Sequence, residues 1–204
     1  MAGDQPSAAP LKDRGNDLYE TPEVATEALL RVEQLPPYIW EPACGPGAIA
    51  RVLRRHGHKV LATDLVDYDS PEQNERWDFL MERNTPADVQ AIVTNPPFKN
   101  ALDFVSHGLT LVPKVILLLR LAFLEGGNME SKRDRSRLRG EILDGGSLAR
   151  VHVFRNRLPM MHRDGQGIVE AEKTTGNAIA FAWYVWDRNH KGPTELHRLS
   201  WVDQ

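Results

Sequence analysis

Cysteine is almost missing from this chain. Cys44 is the only one in 204 residues, which excludes an internal disulfide and a structural zinc site built on cysteines. Long apolar runs are missing too: the longest, Val115–Leu119, falls far short of a membrane span and fits a buried strand. Residues 1–16 lack a signal peptide's hydrophobic stretch; they read as a flexible polar tail, and a cytoplasmic location follows by default. Internal repeats, low-complexity segments and domain-splitting linkers are absent. His56, His58, His152 and His162 show no metal-ligand spacing, so no catalytic metal is expected; His56 and His58 suit a helix end and a strand entry. Neither sign of charge dominates, the net being −3. The distribution is uneven: residues 1–100 hold 10 Lys/Arg against 16 Asp/Glu, and residues 101–204 hold 15 against 12. That pattern suits a basic face offered to phosphates, and equally suits scattered surface charge.

With 41% apolar and 26% charged residues, the composition is that of an ordinary globular protein with enough chain for one α/β core. Thr21-Pro22-Glu23 reads as a helix start with Thr21 as N-cap, followed by Val24, Ala28, Leu29 and Val32 at helical spacing. Strands are expected at Tyr38–Glu41, Lys59–Asp64, Val89–Thr94 and Lys114–Arg120, with helices at Ala48–His56 and Ala101–Leu111. This alternation predicts a mainly parallel sheet with helices on both faces. Glu125–Ser147 is polar, bears glycine and has no apolar period. Val151–Arg155 and Ala178–Trp186 then predict an antiparallel pair, joined by the polar loop His162–Gly176. Trp183 and Trp186 are expected to pack in the core and at its edge.

Two segments carry chemistry. Glu41-Pro42-Ala43-Cys44-Gly45-Pro46-Gly47 joins a strand to a helix, where glycines permit a tight turn and close approach of backbone to a ligand. It matches neither the dinucleotide fingerprint nor a phosphate loop. Alone, such a turn also suits simple packing. Asp64, ending the next strand, supplies a carboxylate able to accept from two ribose hydroxyls, and the combination points to a nucleoside-containing ligand. Cys44 has no obvious partner base and suits a small packing residue better than a nucleophile.

The second segment is Asn95-Pro96-Pro97-Phe98, directly after a buried strand. Neither proline can continue a ladder, and both fix φ, so the Pro96 carbonyl points in a set direction. The Asn95 side-chain oxygen and that carbonyl suit both hydrogens of a substrate NH₂ group, while Phe98 offers a face for a planar base or amide. The alternative, a strand-terminating loop with an accidental aromatic, is an uncommon coincidence at average proline usage.

In this order the motifs resemble the amino-methyltransferase branch of the Rossmann-like methyltransferases, especially small phage-type DNA adenine-N6 enzymes. The resemblance covers about residues 17–125. It implies a seven-stranded, mostly parallel sheet with an antiparallel C-terminal hairpin. The resemblance implies S-adenosyl-L-methionine as cofactor. The chain departs from the family pattern in showing no separate target-recognition domain after Phe98, as in small phage-type enzymes, so a single domain over 17–204 is expected. Glu41, Pro42, Ala43, Cys44, Gly45 and Gly47 resemble the segment that cradles the cofactor's methionine part. Asp64, with Leu65 beside it, resembles the ribose-binding acid. Asp78 and Phe79 resemble the pair at the adenine ring, and Tyr19, Thr21 and Pro22 the segment that closes over the methionine end. Asn95, Pro96, Pro97 and Phe98 resemble the catalytic loop.

The resemblance implies a nucleic-acid partner, DNA ahead of RNA, with methylation of adenine N6. RNA adenine methylation, protein glutamine methylation and a non-catalytic nucleic-acid-binding module stand as alternatives. Ser131–Arg139 holds five cations and one anion, so Lys132, Arg133 and Arg135 are candidates for gripping phosphates, with a solvated loop as the other reading.

Overall fold

A computed structural model of the chain describes residues 19–86, 88–162 and 179–202. The expected tail 1–16, Asp17, Leu18 and the loop from residue 163 lie outside the described residues. The elements run β1 (Tyr19–Glu20), α1 (Glu23–Leu30), β2 (Tyr38–Glu41), α2 (Ala48–Arg55), β3 (Lys59–Asp64), β4 (Glu75–Arg76) and β5 (Ala91–Thr94). They continue with α3 (Ala101–Leu111), β6 (Lys114–Arg120), α4 (Asp134–Asp144), β7 (Leu148–Phe154), β8 (Met161–His162), β9 (Phe181–Asp187) and β10 (Glu195–Leu199).

The main sheet has eight strands in the order β10-β7-β9-β6-β5-β2-β3-β4, and β1 pairs with β8 in a separate two-stranded ribbon. Among the described residues, only β9 runs against its neighbours in the main sheet, pairing antiparallel with both β6 and β7. The expected antiparallel pair is therefore present as β7 and β9. The strand count exceeds the expected seven because β10 adds to the edge beside β7 and the two-residue β4 extends the other edge.

Strands covered on both faces need apolar residues at successive positions, and β6 shows why. Val115, Leu117 and Leu119 join a cluster with α3 and α4, while Ile116 and Leu118 join the cluster that includes α1 and α2. Trp183 and Trp186, three apart on β9, fall on opposite faces, and both are fully buried. Each indole N–H finds a carbonyl on the helix covering its face: Ala25 of α1 for Trp183 and Ile142 of α4 for Trp186, at 2.9 and 3.0 Å. No helix among the described residues is long and apolar enough to cross a membrane.

Glu125–Ser147 was expected to be polar irregular chain, yet Asp134–Asp144 forms α4. Apolar spacing is weak there, and tertiary contacts supply the missing drive. Ile142 and Leu143 are buried, Arg139 donates to the carbonyls of Phe123 and Glu125, and Gly140 lies directly against the backbone of Asn128 and Met129.

From β2 the chain moves outward to β3 and β4, then returns to the other side of β2 as β5. The carboxyl ends of β2 and β5 thus flank a switch point in strand order, where open α/β sheets leave a crevice for ligands.

Candidate active site

The glycine turn leaves β2 at Glu41 and enters α2 at Ala48. Gly45 and Gly47 have φ of 52° and 89°, in the left-handed region that favours glycine. At Gly47 a side chain would also collide with Glu72, whose Cβ lies 2.2 Å from where a Cβ would stand. Neighbouring strand ends stitch the turn in place. Cys44 N–H donates to the Thr63 carbonyl, Gly45 N–H to Asp64 Oδ2 at 2.9 Å, and Thr94 Oγ1 to the Ala43 carbonyl at 3.2 Å.

Glu41 is 1% exposed, and its Oε2 has no hydrogen-bond partner among the described residues. Burial pushes its carboxyl well above the usual range, against the opposing effect of a hydrogen bond from the Ala50 N–H. Burial likewise raises the Cys44 thiol far above its ordinary value, so this cysteine is a packed thiol rather than a thiolate. Asp64 is raised by burial too, with N–H groups of Val66, Gly45 and Leu65 working the other way. Beside it Leu65 is 58% exposed, an apolar side chain left open just past the carboxyl end of β3.

Asp78 accepts from Leu80 N–H at 3.1 Å and so caps the 3-10 turn Phe79–Met81. The Phe79 ring lies in the core, with ring centres 5.3 Å from Trp40, 4.8 Å from Phe104 and 4.9 Å from His107.

Asn95 follows β5 across the switch point from Glu41. Its Nδ2 donates to Thr21 Oγ1 at 3.1 Å, which fixes the amide's rotation and makes Oδ1 its acceptor end. Thr21 was expected to cap α1, but the cap position falls to Pro22, one residue later, and the threonine hydroxyl is engaged at Asn95 instead. Tyr19 and Glu20 are held beside it by pairing with Met161 and His162. Pro96 is buried and Pro97 half-buried, and a 3-10 turn over Phe98–Asn100 leads into α3. The half-buried Phe98 ring has Phe181 at 5.8 Å and the Arg120 guanidinium 4.3 Å from its centre.

The structure therefore gathers Thr21, Pro22, Glu41–Gly47, Asp64, Leu65 and Asn95–Phe98 at one edge of the sheet. Of the expected phosphate contacts, Lys132 and Arg133 are exposed just before α4. Arg135 pairs with Asp103 of α3 at 3.1 Å and lines a cavity of about 230 Å³ beside Phe98. That cavity also holds Lys99, Arg120 and Arg139, none of which stands out as a site candidate in the sequence. The available signal was an arginine closing the most apolar strand, two residues before Ala122-Phe123.

No family model matches this sequence, and no curated protein does. Solved structures are similar in shape. One is a modification subunit of a putative type I restriction enzyme from Vibrio vulnificus, 16% identical over 92% of this chain and 48% of that one, with a TM-score of 0.54. Another is a putative RNA methyltransferase from Pyrococcus horikoshii, 13% identical over 83% of this chain and 86% of that one, with a TM-score of 0.55. The chain spans about half the length of the Vibrio subunit. These likenesses show the fold, which is the Rossmann-like methyltransferase fold.

Proposed function

We propose that this chain is an S-adenosyl-L-methionine-dependent methyltransferase acting on an exocyclic amino nitrogen, namely N6 of adenine in DNA. The observation that carries this reading is the Asn95-Pro96-Pro97-Phe98 loop at the carboxyl end of β5, its asparagine oriented by Thr21 and facing the glycine turn across the switch point.

The residues present fit the cofactor. The buried Oε2 of Glu41, without a hydrogen-bond partner among the described residues, suits an ammonium group such as that of a methionyl arm. Asp64 lies where ribose hydroxyls would seek an acceptor, and exposed Leu65 suits an adenine face. Gly45 and Gly47 keep the turn free of side chains. When bound, the cofactor supplies an electrophilic methyl group on sulfur.

The chain's own residues do the rest. Asn95 Oδ1 and the Pro96 carbonyl accept the two amino hydrogens, which turns the nitrogen lone pair toward the donor and draws it out of conjugation with the ring. Phe98 supports the flipped base by stacking. No general base is needed before attack, because the nitrogen becomes acidic only once it carries positive charge and then releases a proton to water. Rate enhancement comes from orientation and from acceptors already in place.

Labelled methyl from the cofactor, offered DNA, RNA and protein pools and followed by digestion and mass analysis, tests this. N6-methyladenine in the DNA pool is the expected product. Label confined to RNA adenine would move the assignment to RNA, the second reading, which the fold shared with the Pyrococcus protein supports. Label confined to glutamine would overturn the nucleic-acid assignment.

A further inference from the structure

We infer that the cavity behind Phe98 is a phosphodiester site, and that Arg120 is a substrate-binding residue holding a backbone phosphate of the nucleic acid next to the target nucleotide. This rests on the nucleic-acid reading above.

Ten residues line the cavity; Phe98 and Phe123 are among them, and four are cations, Lys99, Arg120, Arg135 and Arg139. The four are not equivalent. Arg135 is neutralised by Asp103 on α3, at 3.1 Å. Arg139 lies 4.4 Å over the Phe123 ring and donates to the carbonyls of Phe123 and Glu125, so its role is to anchor α4. Arg120 is different. It closes β6 with its guanidinium 4.3 Å from the Phe98 ring centre, and its Nε is buried with no hydrogen-bond partner among the described residues.

A buried N–H without an acceptor is rare in folded proteins and costs stability unless something fills it. Stacking on Phe98 holds the planar group in place but satisfies none of its N–H donors. An anion with paired oxygens does, and the guanidinium fork matches phosphate in that geometry. Lys99 is exposed one residue after Phe98 and adds charge at the same mouth.

Placement favours a phosphodiester over a free anion. Arg120 lies over the Phe98 ring and the Asn95–Pro96 acceptors precede Phe98 in the chain, and a nucleotide carries base and phosphate within a comparable reach. A single ring can thus stack the base while its cationic neighbour holds the backbone, so the cavity positions the strand and Asn95–Pro96 select the amine.

The test measures anisotropy of a labelled adenine-containing DNA duplex and of the matching single strand, with S-adenosylhomocysteine saturating, across a salt series. Arg120→Gln is expected to weaken binding about tenfold or more and to lower the slope of log affinity against log salt by roughly 0.7–0.9, the loss of one phosphate contact. Arg120→Lys should keep most of the slope. Lys191→Gln, at the exposed turn before β10, should leave both quantities at the wild-type value. Calorimetry with S-adenosylhomocysteine should be unchanged in all three, which separates loss of the contact from loss of fold.

Wild-type slope and affinity in Arg120→Gln would overturn the inference, even if the DNA pool is methylated normally. An Arg120-dependent slope in a protein that methylates no nucleic acid would uphold the phosphate site and sink the proposed reaction. Failure of the wild-type protein to bind either oligonucleotide, with label entering protein, would overturn both.

Discussion

At the scale of single residues, the hydrogen bond from Asn95 to Thr21 is the contact that sets the proposed chemistry. An asparagine amide free to rotate presents donor and acceptor with equal ease, and only the acceptor end suits an amine. Asn95→Ala removes the acceptor altogether. Turnover is expected to fall about 100-fold or more with cofactor affinity within a few-fold of wild type, as measured by single-turnover kinetics and calorimetry. Unchanged turnover would remove Asn95 from the mechanism. Thr21→Val keeps shape but takes away the partner of Nδ2. Here the expected loss is smaller, about tenfold, and falls on turnover more than on KM, since the amide is only misoriented part of the time.

Glu41 allows a test of cofactor fit that spares the fold. Its carboxyl is buried and held well above the ordinary range, so the ligand-free protein tolerates a neutral group there. Glu41→Gln is near in volume, and thermal stability should shift little. The charge-assisted bond to an ammonium is lost, and affinity for S-adenosylhomocysteine should fall about 10- to 100-fold by calorimetry. Wild-type affinity in this variant would take Glu41 out of the cofactor site.

At the scale of elements, α4 is where local pattern and tertiary contact part ways. The seven expected elements before it were legible because each combined an apolar run or helical period with a clear stop. β6 has five apolar residues in a row, α2 ends at Gly57 with φ of 87°, and β5 ends at two prolines. In Asp134-Arg-Ser-Arg-Leu-Arg-Gly-Glu-Ile-Leu-Asp144 the apolar residues are few, four of the first six residues are charged, and Gly140 sits mid-helix, all of which argue for loop. The helix exists because Gly140 lets it approach the 128–129 backbone and because Arg139 ties it to Phe123.

The same limit explains β10, whose Glu195–Arg198 are exposed on an edge and carry no alternating pattern, and Arg120, whose unusual setting appears only when Phe98 is folded beside it. Gly140→Ala would place a Cβ 2.5 Å from the Met129 nitrogen. Overpacking of this kind costs about 1–3 kcal/mol, readable as a lowered urea midpoint. Moving α4 also deforms the wall of the cavity that holds Arg120, so oligonucleotide binding should weaken while cofactor affinity holds. Stability equal to wild type would mean that α4 is not seated through this contact.

At the scale of the whole molecule, β7, three strands away from β5 in the sheet, is tied to the helical layer by ions. Glu33, just after α1, is buried and accepts from Arg150 and from His152 at 2.8 Å, both on β7, so one carboxylate joins the helical layer to a strand 119 residues away. Burial alone would raise its pKa, but the hydrogen bonds from His152 and Arg150 outweigh that and hold it at about 2, against an ordinary 4.5. A carboxyl depressed on folding stabilises the native state above its unfolded pKa, and the stabilisation is lost as pH falls through its folded one. The contribution is therefore complete above about pH 4.5, worth about 3 kcal/mol, and disappears toward pH 2. Urea midpoints collected between pH 7 and pH 2 should fall steeply below pH 4.5 in the wild-type protein. Glu33→Gln should start lower at neutral pH and fall less over the same window, because its amide does not titrate. Parallel curves for the two proteins would mean that the acid sensitivity arises elsewhere, and that the Glu33 cluster joins the layers without setting their pH limit.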